Sequence, residues 1–225
     1  FFDCAELGFG AIAAHGHADC LSFSLAVHGH EVLVDPGTYD YYTHPEWRNY
    51  FRSTLAHNTV EIDGQSQSEL QGAFMWGHRA NATLTEWVDD DAQVVVVGEH
   101  DGYAKLDDPV IHRRSLTLDK TTGAVSITDH LLCSGSHEAR VSFHVAPGYA
   151  VVAQGDDVVV SGNGSRLRLA SPDGRFEVVA AADDTRTGWI SDGYHRKARG
   201  HAVFLRLMFS GNTQIRTNIE IDDAP

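Results

Sequence analysis

The alternation of short polar–apolar stretches with turn signals is the feature that most restricts what this chain can fold into. Arg166-Leu167-Arg168-Leu169, Val125-Ser126-Ile127-Thr128 and Ser115-Leu116-Thr117-Leu118 each send every second side chain to one face. A period of two belongs to a strand with one face buried and one wet, not to a helical stripe. Between such stretches stand Asp63-Gly64, Thr122-Gly123, Gly155-Asp156, Gly162-Asn163-Gly164 and Pro172-Asp173-Gly174, residue pairs that accept tight turns. Their spacing, often about ten residues, is the rhythm of antiparallel sheets packed face to face. Residues 94–97 and 178–182 are apolar throughout and read as central strands covered on both faces. Residues 202–221 read as two strands joined at Gly211-Asn212. Helical periodicity is confined to residues 45–53, where Trp47, Tyr50 and Phe51 follow Pro45 at a helix start. The expected fold is all-β: one domain over residues 1–225, an antiparallel β-sandwich of two packed sheets with little helix.

Composition narrows the partners. The 225 residues carry a formal charge of −14, which disfavours a general nucleic-acid binder, since that needs a basic face. An anionic substrate stays compatible, because a local cluster of His, Arg or metal outweighs the global field. No apolar run approaches the ~20 residues of a membrane span. No signal peptide is visible, and the chain begins Phe1-Phe2-Asp3 without a Met, so it is expected to be a portion of something longer. Cys4, Cys20 and Cys133 have no CxxC spacing and read as free thiols rather than a disulfide framework or a thiolate zinc site.

Among 14 histidines, the question is whether a few converge. The densest polar chemistry lies between His15 and Asn58. His15-Gly16-His17-Ala18-Asp19 precedes a strand expected over 21–27; if that approach is extended, His15 and His17 point to the same side. A strand over 31–34 ends in Asp35-Pro36-Gly37, and Thr54-Leu55-Ala56-His57-Asn58 leads into a third over 59–62. Consecutive strands commonly neighbour one another, which can bring His17, Asp35 and His57 together. Two neutral imidazoles and a carboxylate form a divalent-metal set, zinc first, with an open position for water or substrate. Two histidines one residue apart also arise by chance here: His28-Gly29-His30 is a second such pair, read as exposed residues flanking a hairpin glycine. Tyr39, Tyr41, Tyr42 and Tyr50 fall in one loop with His44, Trp47, Arg48 and Arg52, a composition suited to sugar stacking and carboxylate pairing. The alternative is that Trp47, Tyr50 and Phe51 plug one end of the sandwich. His100, His112 and His144 fall in expected strands and read as structural; His130, His137, His195 and His201 carry no assignment.

Taken in order, His15-Gly16-His17-Ala18-Asp19 with Leu21-Ser22-Phe23, Val34-Asp35-Pro36-Gly37-Thr38-Tyr39, Trp47-Arg48-Asn49-Tyr50-Phe51-Arg52-Ser53-Thr54 and Ala56-His57-Asn58-Thr59-Val60 resemble the carboxy-terminal domain of heparinase II/III-like polysaccharide lyases. Gly98-Glu99-His100-Asp101-Gly102-Tyr103, His112-Arg113-Arg114 and the Tyr194 region are similar too. The resemblance implies a β-sandwich that follows an (α/α) toroid, with a cleft between them that cleaves uronic-acid polysaccharides such as heparan sulfate or alginate by β-elimination. It implies zinc on His17, Asp35 and His57; set behind the cleft, such an ion would tie the Asp35 strand end to the His57 entry, so its role is read as mainly structural. It also implies a cleft-facing His15 that handles the substrate carboxylate, and a loop tyrosine that contributes to catalysis, for which Tyr42, or its neighbour Tyr41, is the nearest match. Arg52, with Tyr41, is expected to contact the anionic polysaccharide or oligosaccharide. The family's principal base/acid tyrosine, with a histidine and an asparagine, belongs to the toroid. No segment here can supply that domain, so the chain alone is expected to be inactive. Polysaccharide lyases are usually exported, which favours a periplasmic or secreted location. Two other classes compete. A non-catalytic carbohydrate-binding module needs the aromatic–Arg loop but neither His15 nor His57. A metal-dependent hydrolase needs an added carboxylate, for which Asp19 and Glu31 are the nearest.

Overall fold

The computed structural model describes residues 1–223. Two antiparallel sheets face each other. One runs Leu25–Val27, His30–Leu33, Ser136–Val145, His201–Ser210, Phe176–Ala180, with Val60–Ile62 also paired to Ser136–Val145. The other runs Ala150–Gln154, Asp157–Gly162, Ser165–Ala170, Thr213–Asp223, Val125–Leu132, Val110–Asp119, Gln93–Tyr103, Ala82–Asp89. Two small ladders, Leu70–Gln71 with Met75–Trp76 and Trp189–Gly193 with Arg196–Arg199, stand apart from both. The expected β-sandwich is what forms. No helix among the described residues is long and apolar enough to cross a membrane.

The period-two stretches drive the sheets together. In Val125–Leu132 the side chains of Val125, Ile127 and Leu131 are buried while Ser126 and Leu132 face out. Leu167 and Leu169 do the same between Arg166 and Arg168. They meet Val141, Phe143, Val203 and Leu205 from the opposite sheet in one core. Each such side chain withdrawn from water contributes roughly 1.5–3 kcal/mol. The residues 202–221 expectation holds as His201–Ser210 and Thr213–Asp223.

One strand reading is corrected. Residues 178–182 are not a covered central strand: Phe176–Ala180 ends its sheet, and Val178 and Val179 are only half-buried. An apolar run does not distinguish an edge strand shielded by loops from a central one. Residues 94–97 do lie inside a sheet, with Val96 and Val97 buried and Val94 and Val95 half-buried.

The only α-helix among the described residues is Pro45–Arg52, with the proline in its first turn, where a missing N–H costs nothing. Its Tyr50 and Phe51 pack with Ala56, Ala181 and Trp189, and Trp47 and Tyr39 close over them. The aromatic plug reading therefore holds for Trp47, Tyr50 and Phe51.

Candidate metal centre and substrate face

The site forms where two short strands share one edge of a long one. Leu33 pairs with Val145, and Val60 and Ile62 pair with Val141 and Ala139. The strand end before Asp35 and the strand start after His57 are thus neighbours through Ser136–Val145, not through each other. Asn58 closes the seam between them. Its side-chain oxygen accepts from the His144 amide at 2.6 Å, while its Nδ2 donates to Phe23 O and Val34 O at 2.8 and 3.1 Å. Fully buried, Asn58 supplies the pairing that a continuous strand would give.

His17, Asp19, Asp35 and His57 each present one donor atom, and these atoms all lie within 4.8 Å of one another. The structure brings the three expected residues together and adds Asp19. Residues 10–15 are turns rather than an extended approach, so His15 and His17 part: His17 enters the cluster while His15 is exposed.

The cluster fits a divalent cation. His57 is fully buried, and its Nδ1–H donates to Ser53 O at 2.8 Å, which leaves the Nε2 lone pair aimed at the other donors. That Nε2 is 3.2 Å from His17 Nδ1, 3.5 Å from Asp35 Oδ2 and 4.0 Å from Asp19 Oδ2. Tetrahedral ligands at zinc–nitrogen bond lengths stand about 3.3 Å apart, close to the distances from His57 Nε2 to His17 and Asp35. His17 Nε2 lies 3.4 Å from Thr38 Oγ1. Burial, and then the charges of His57, Arg48 and Arg52, hold His17 well below the ordinary imidazole range, so it is neutral and able to ligate. Burial pushes Asp19 up to about 7, opposed by His57 and reinforced by Asp3 and Asp35. Crowded carboxylates of this kind are relieved by a cation among them.

A second, exposed face adjoins the cluster. His15 packs edge-on to Tyr41, ring centroids 5.3 Å apart, and to Phe74 at 6.0 Å. Tyr41 stacks on Tyr194 at 5.9 Å, and Tyr42 is 71% exposed. A cleft of about 240 Å³ is lined by Thr38, Tyr39, Tyr41, Ser191, Gly193 and Tyr194. Its wall is tied to the Asp35 loop: Ser191 N donates to Pro36 O at 2.7 Å. Gly37, at φ 81°, passes so close to the Ser191 backbone that no side chain fits there.

Arg52 does not serve this face. It is fully buried, donates to Gly72 O, Ala73 O and Met75 O at 2.8, 2.8 and 3.3 Å, and lies 4.3 Å from the Trp76 ring centroid. A helical residue whose direction is set by the 72–76 hairpin cannot also reach a ligand, so the substrate-contact expectation for Arg52 is corrected to a structural role. Arg48, one helical turn earlier and also buried, is closer to the face. Its guanidinium sits 5.2 Å from the Tyr41 centroid and donates to Ala73 O and Ala14 O. Burial lowers both arginines to about 10, so both stay charged at neutral pH. Arg48, a cation bonded to carbonyls rather than carboxylates, thus underlies the Tyr41 ring.

Asp40 was not singled out by the sequence, although an aspartate before a helix start is a capping signal. It is fully buried, and the backbone amides of Tyr41, Tyr42, Thr43 and His44 all donate to its carboxylate. Burial raises its pKa, but these four bonds win and hold it at about 2. The stability it contributes is present above the unfolded value near 3.9 and is lost as pH falls through about 2. Asp40→Ala strands four amides and is expected to cost about 2 kcal/mol. The checks are a lower thermal midpoint and faster proteolysis within residues 38–44; an unchanged midpoint refutes this role.

The remaining histidines are structural where expected. Gly102 N donates to His100 Nδ1, which makes Nε2 the donor to His112 Nδ1 at 3.0 Å; His112 Nε2 in turn donates to Asp129 at 2.6 Å. His144 Nε2 bonds Leu55 O. His28 and His30 are exposed around Gly29 at a hairpin, and the three cysteines are free thiols.

Residues 1–218 match the family described as Heparinase II/III-like, C-terminal. The chain belongs to that family. No curated protein matches it. Among solved structures similar to this heparinase II/III-like domain is the heparan sulfate lyase HepC from Pedobacter heparinus, at TM-score 0.75 and 16% identity over 93% of this chain and 31% of that one. The Heparinase III-BT4657 gene product gives 0.75 and 20% over 97% and 32%, and a Heparinase III gives 0.71 and 18% over 93% and 30%. At these identities the likeness shows a shared fold. The chain spans about a third of the length of each of these structures.

Proposed function

We propose that this heparinase II/III-like domain forms one wall of a polysaccharide lyase cleft and presents His15 to the carboxylate of a uronic-acid residue. The observation that carries this reading is an exposed imidazole packed against Tyr41, whose ring also meets the buried Arg48, beside a four-donor cluster. In β-elimination a base takes the C5 proton, the electron pair becomes the C4=C5 double bond, and O4 leaves with a proton from an acid. The C5 proton is too weakly acidic unless charge building on the adjacent carboxylate is stabilised. His15 can donate to that carboxylate, and the buried charge of Arg48 adds a positive field through the Tyr41 ring. Tyr42, exposed next to Tyr41 in the same loop, is the group on this chain read as taking part in proton transfer at O4. The principal base is expected on a preceding toroid, as the family resemblance implies.

The metal is read as zinc, held by His17, Asp35 and His57 with Asp19 as the fourth ligand. When bound, it supplies a fixed positive charge that fastens both ends of the 36–56 loop and so orients His15 and Tyr41. An ion present at 100 times its dissociation constant stabilises by about 2.7 kcal/mol. Chelation is therefore expected to lower the melting temperature by about 5–11 °C and to speed hydrogen exchange in residues 36–56. Elemental analysis without metal, together with an unmoved melting temperature, removes the zinc reading.

The functional test is the absorbance of unsaturated uronate products. The full-length protein is expected to generate it on a uronate polysaccharide, and the isolated chain is not. Robust turnover by residues 1–225 alone refutes the need for a toroid base. A full-length protein that binds the polysaccharide without producing the chromophore favours the carbohydrate-binding module instead. Trp47, half-buried in the aromatic plug, is a poor platform for such binding; half-buried Tyr41 and exposed Tyr194 are the candidates.

A further inference from the structure

We infer that Asp108, Cys133 and His137 form a second zinc site, at the opposite end of Val60–Ile62 from the first. His57 precedes that strand and Asp63 follows it, a separation on the order of 20 Å at ~3.3 Å per residue. A carboxylate oxygen of Asp108, the Cys133 sulfur and an imidazole nitrogen of His137 all lie within 4.8 Å of one another. Cys133 and His137 stand four positions apart, and Asp108 joins them from the turn before Val110–Asp119, so the sequence offers one short Cys-x3-His pair and no full ligand motif.

The orientation of His137 is what distinguishes this cluster from a chance meeting of polar groups. Its side chain is 6% exposed, and its Nδ1 bonds Asp63 Oδ2 at 2.7 Å while its Nε2 faces Asp108 Oδ2 at 2.9 Å. Asp63 is itself fixed, because Glu138 N donates to its other oxygen at 2.8 Å. A carboxylate that accepts a hydrogen bond from Nδ1–H and leaves Nε2 turned toward the other ligand atoms is the arrangement that orients metal-bound histidines. The His57 ring is held the same way, by Ser53 O. Asp108 is aimed by the Gly135 amide at 2.6 Å. Among the described residues Cys133 Sγ bonds carbonyls, Gly211 O at 3.3 Å and Gly135 O at 3.8 Å, and its amide is held by Asn212 at 3.1 Å. Sulfur with imidazole selects zinc over magnesium or calcium. On binding, the Cys133 thiol proton and the His137 Nε2 proton leave together, and water completes the coordination. The ion then joins the turn before Val110–Asp119 to the turn before Ser136–Val145.

Without an ion the same residues form a histidinium held between two aspartates, and the experiment separates the two states. It is independent of the lyase reading. Cobalt(II) alone is titrated into the metal-free protein. A near-ultraviolet thiolate-to-cobalt charge-transfer band arises only from a cysteine ligand, and the His17/Asp19/Asp35/His57 cluster has none. The band is expected in the wild type and in Asp35→Asn, and it is expected to vanish in Cys133→Ser while the thermal melt shows that variant folded. Asp63→Asn is expected to weaken cobalt binding about 10–100-fold. Absence of the band in the wild type, its survival in Cys133→Ser, or unchanged affinity in Asp63→Asn overturns the assignment.

Discussion

Asp129→Asn is expected to destabilise the fold by about 3–5 kcal/mol, because it leaves Arg114 charged and buried without its counter-ion. Arg114 and Asp129 are both essentially inaccessible. Their contact is two-pronged, Nε to Oδ1 at 2.7 Å and Nη2 to Oδ2 at 3.0 Å, with His112 bonded to the same carboxylate. Arg114 Nη1 also donates to Leu21 O and Asn58 O at 2.9 and 2.6 Å. One guanidinium therefore carries the loop after Asp19 and the residue after His57 on a strand of the opposite sheet. For a chain of this length the melting temperature is expected to fall by about 6–20 °C. Burial raises the Asp129 pKa, but Arg114 and then His112 overcome it and hold the carboxyl well below its usual range. The stabilisation is thus complete above the unfolded value near 3.9 and declines as pH falls below it. The variant should lose that acid-side slope. A midpoint within a degree of wild type, or an unaltered acid profile, contradicts the account.

His15→Ala in the full-length protein is expected to lower kcat by about 10²–10⁴-fold, the range for a positioned proton-transfer or charge-stabilising side chain. Thermal stability should barely change, since His15 is exposed and its contacts are the edges of Tyr41 and Phe74. That separation of activity from stability is the useful part of the measurement. The neighbouring His57 is buried and hydrogen-bonded, so its replacement would disturb folding and chemistry together. Turnover that survives His15→Ala, with substrate affinity lost in Tyr41→Ala, transfers the assignment to a binding module.

The sheets were legible because strands such as Val125–Leu132 and Ser165–Ala170 repeat their message every second residue. The hairpin at Gly29, the helix after Pro45 and the pair of strands around Gly211 all follow from local turn and capping chemistry. The meeting of His17, Asp35 and His57 was legible only as a possibility, and the reason offered for it, adjacency of consecutive strands, differs from the one at work. A strand contributed some 80 residues later seats both neighbours, and Asn58 completes its edge. Nothing local in the sequence encodes that contact. Arg52 was misread for a related reason: its charge suggested solvent, but the 72–76 hairpin offers three carbonyls and an indole face that hold it inside. Asp40 was missed because four acceptor contacts from one carboxylate look, in sequence, like any aspartate in a loop. Asp19 was weighed as a hydrolase carboxylate and stands among the cluster donors instead.

The seam at Asn58 also sets a timetable. Asn58 and His144 are 86 positions apart, so during synthesis the His17–His57 segment leaves the ribosome before the strand that anchors it exists. At 5–20 residues per second that interval is roughly 4–17 s, far longer than the microseconds in which a hairpin forms. The four clustered donors are therefore on the nascent chain, unassembled and open to stray ions or chaperones, until the middle of the polypeptide arrives to gather them.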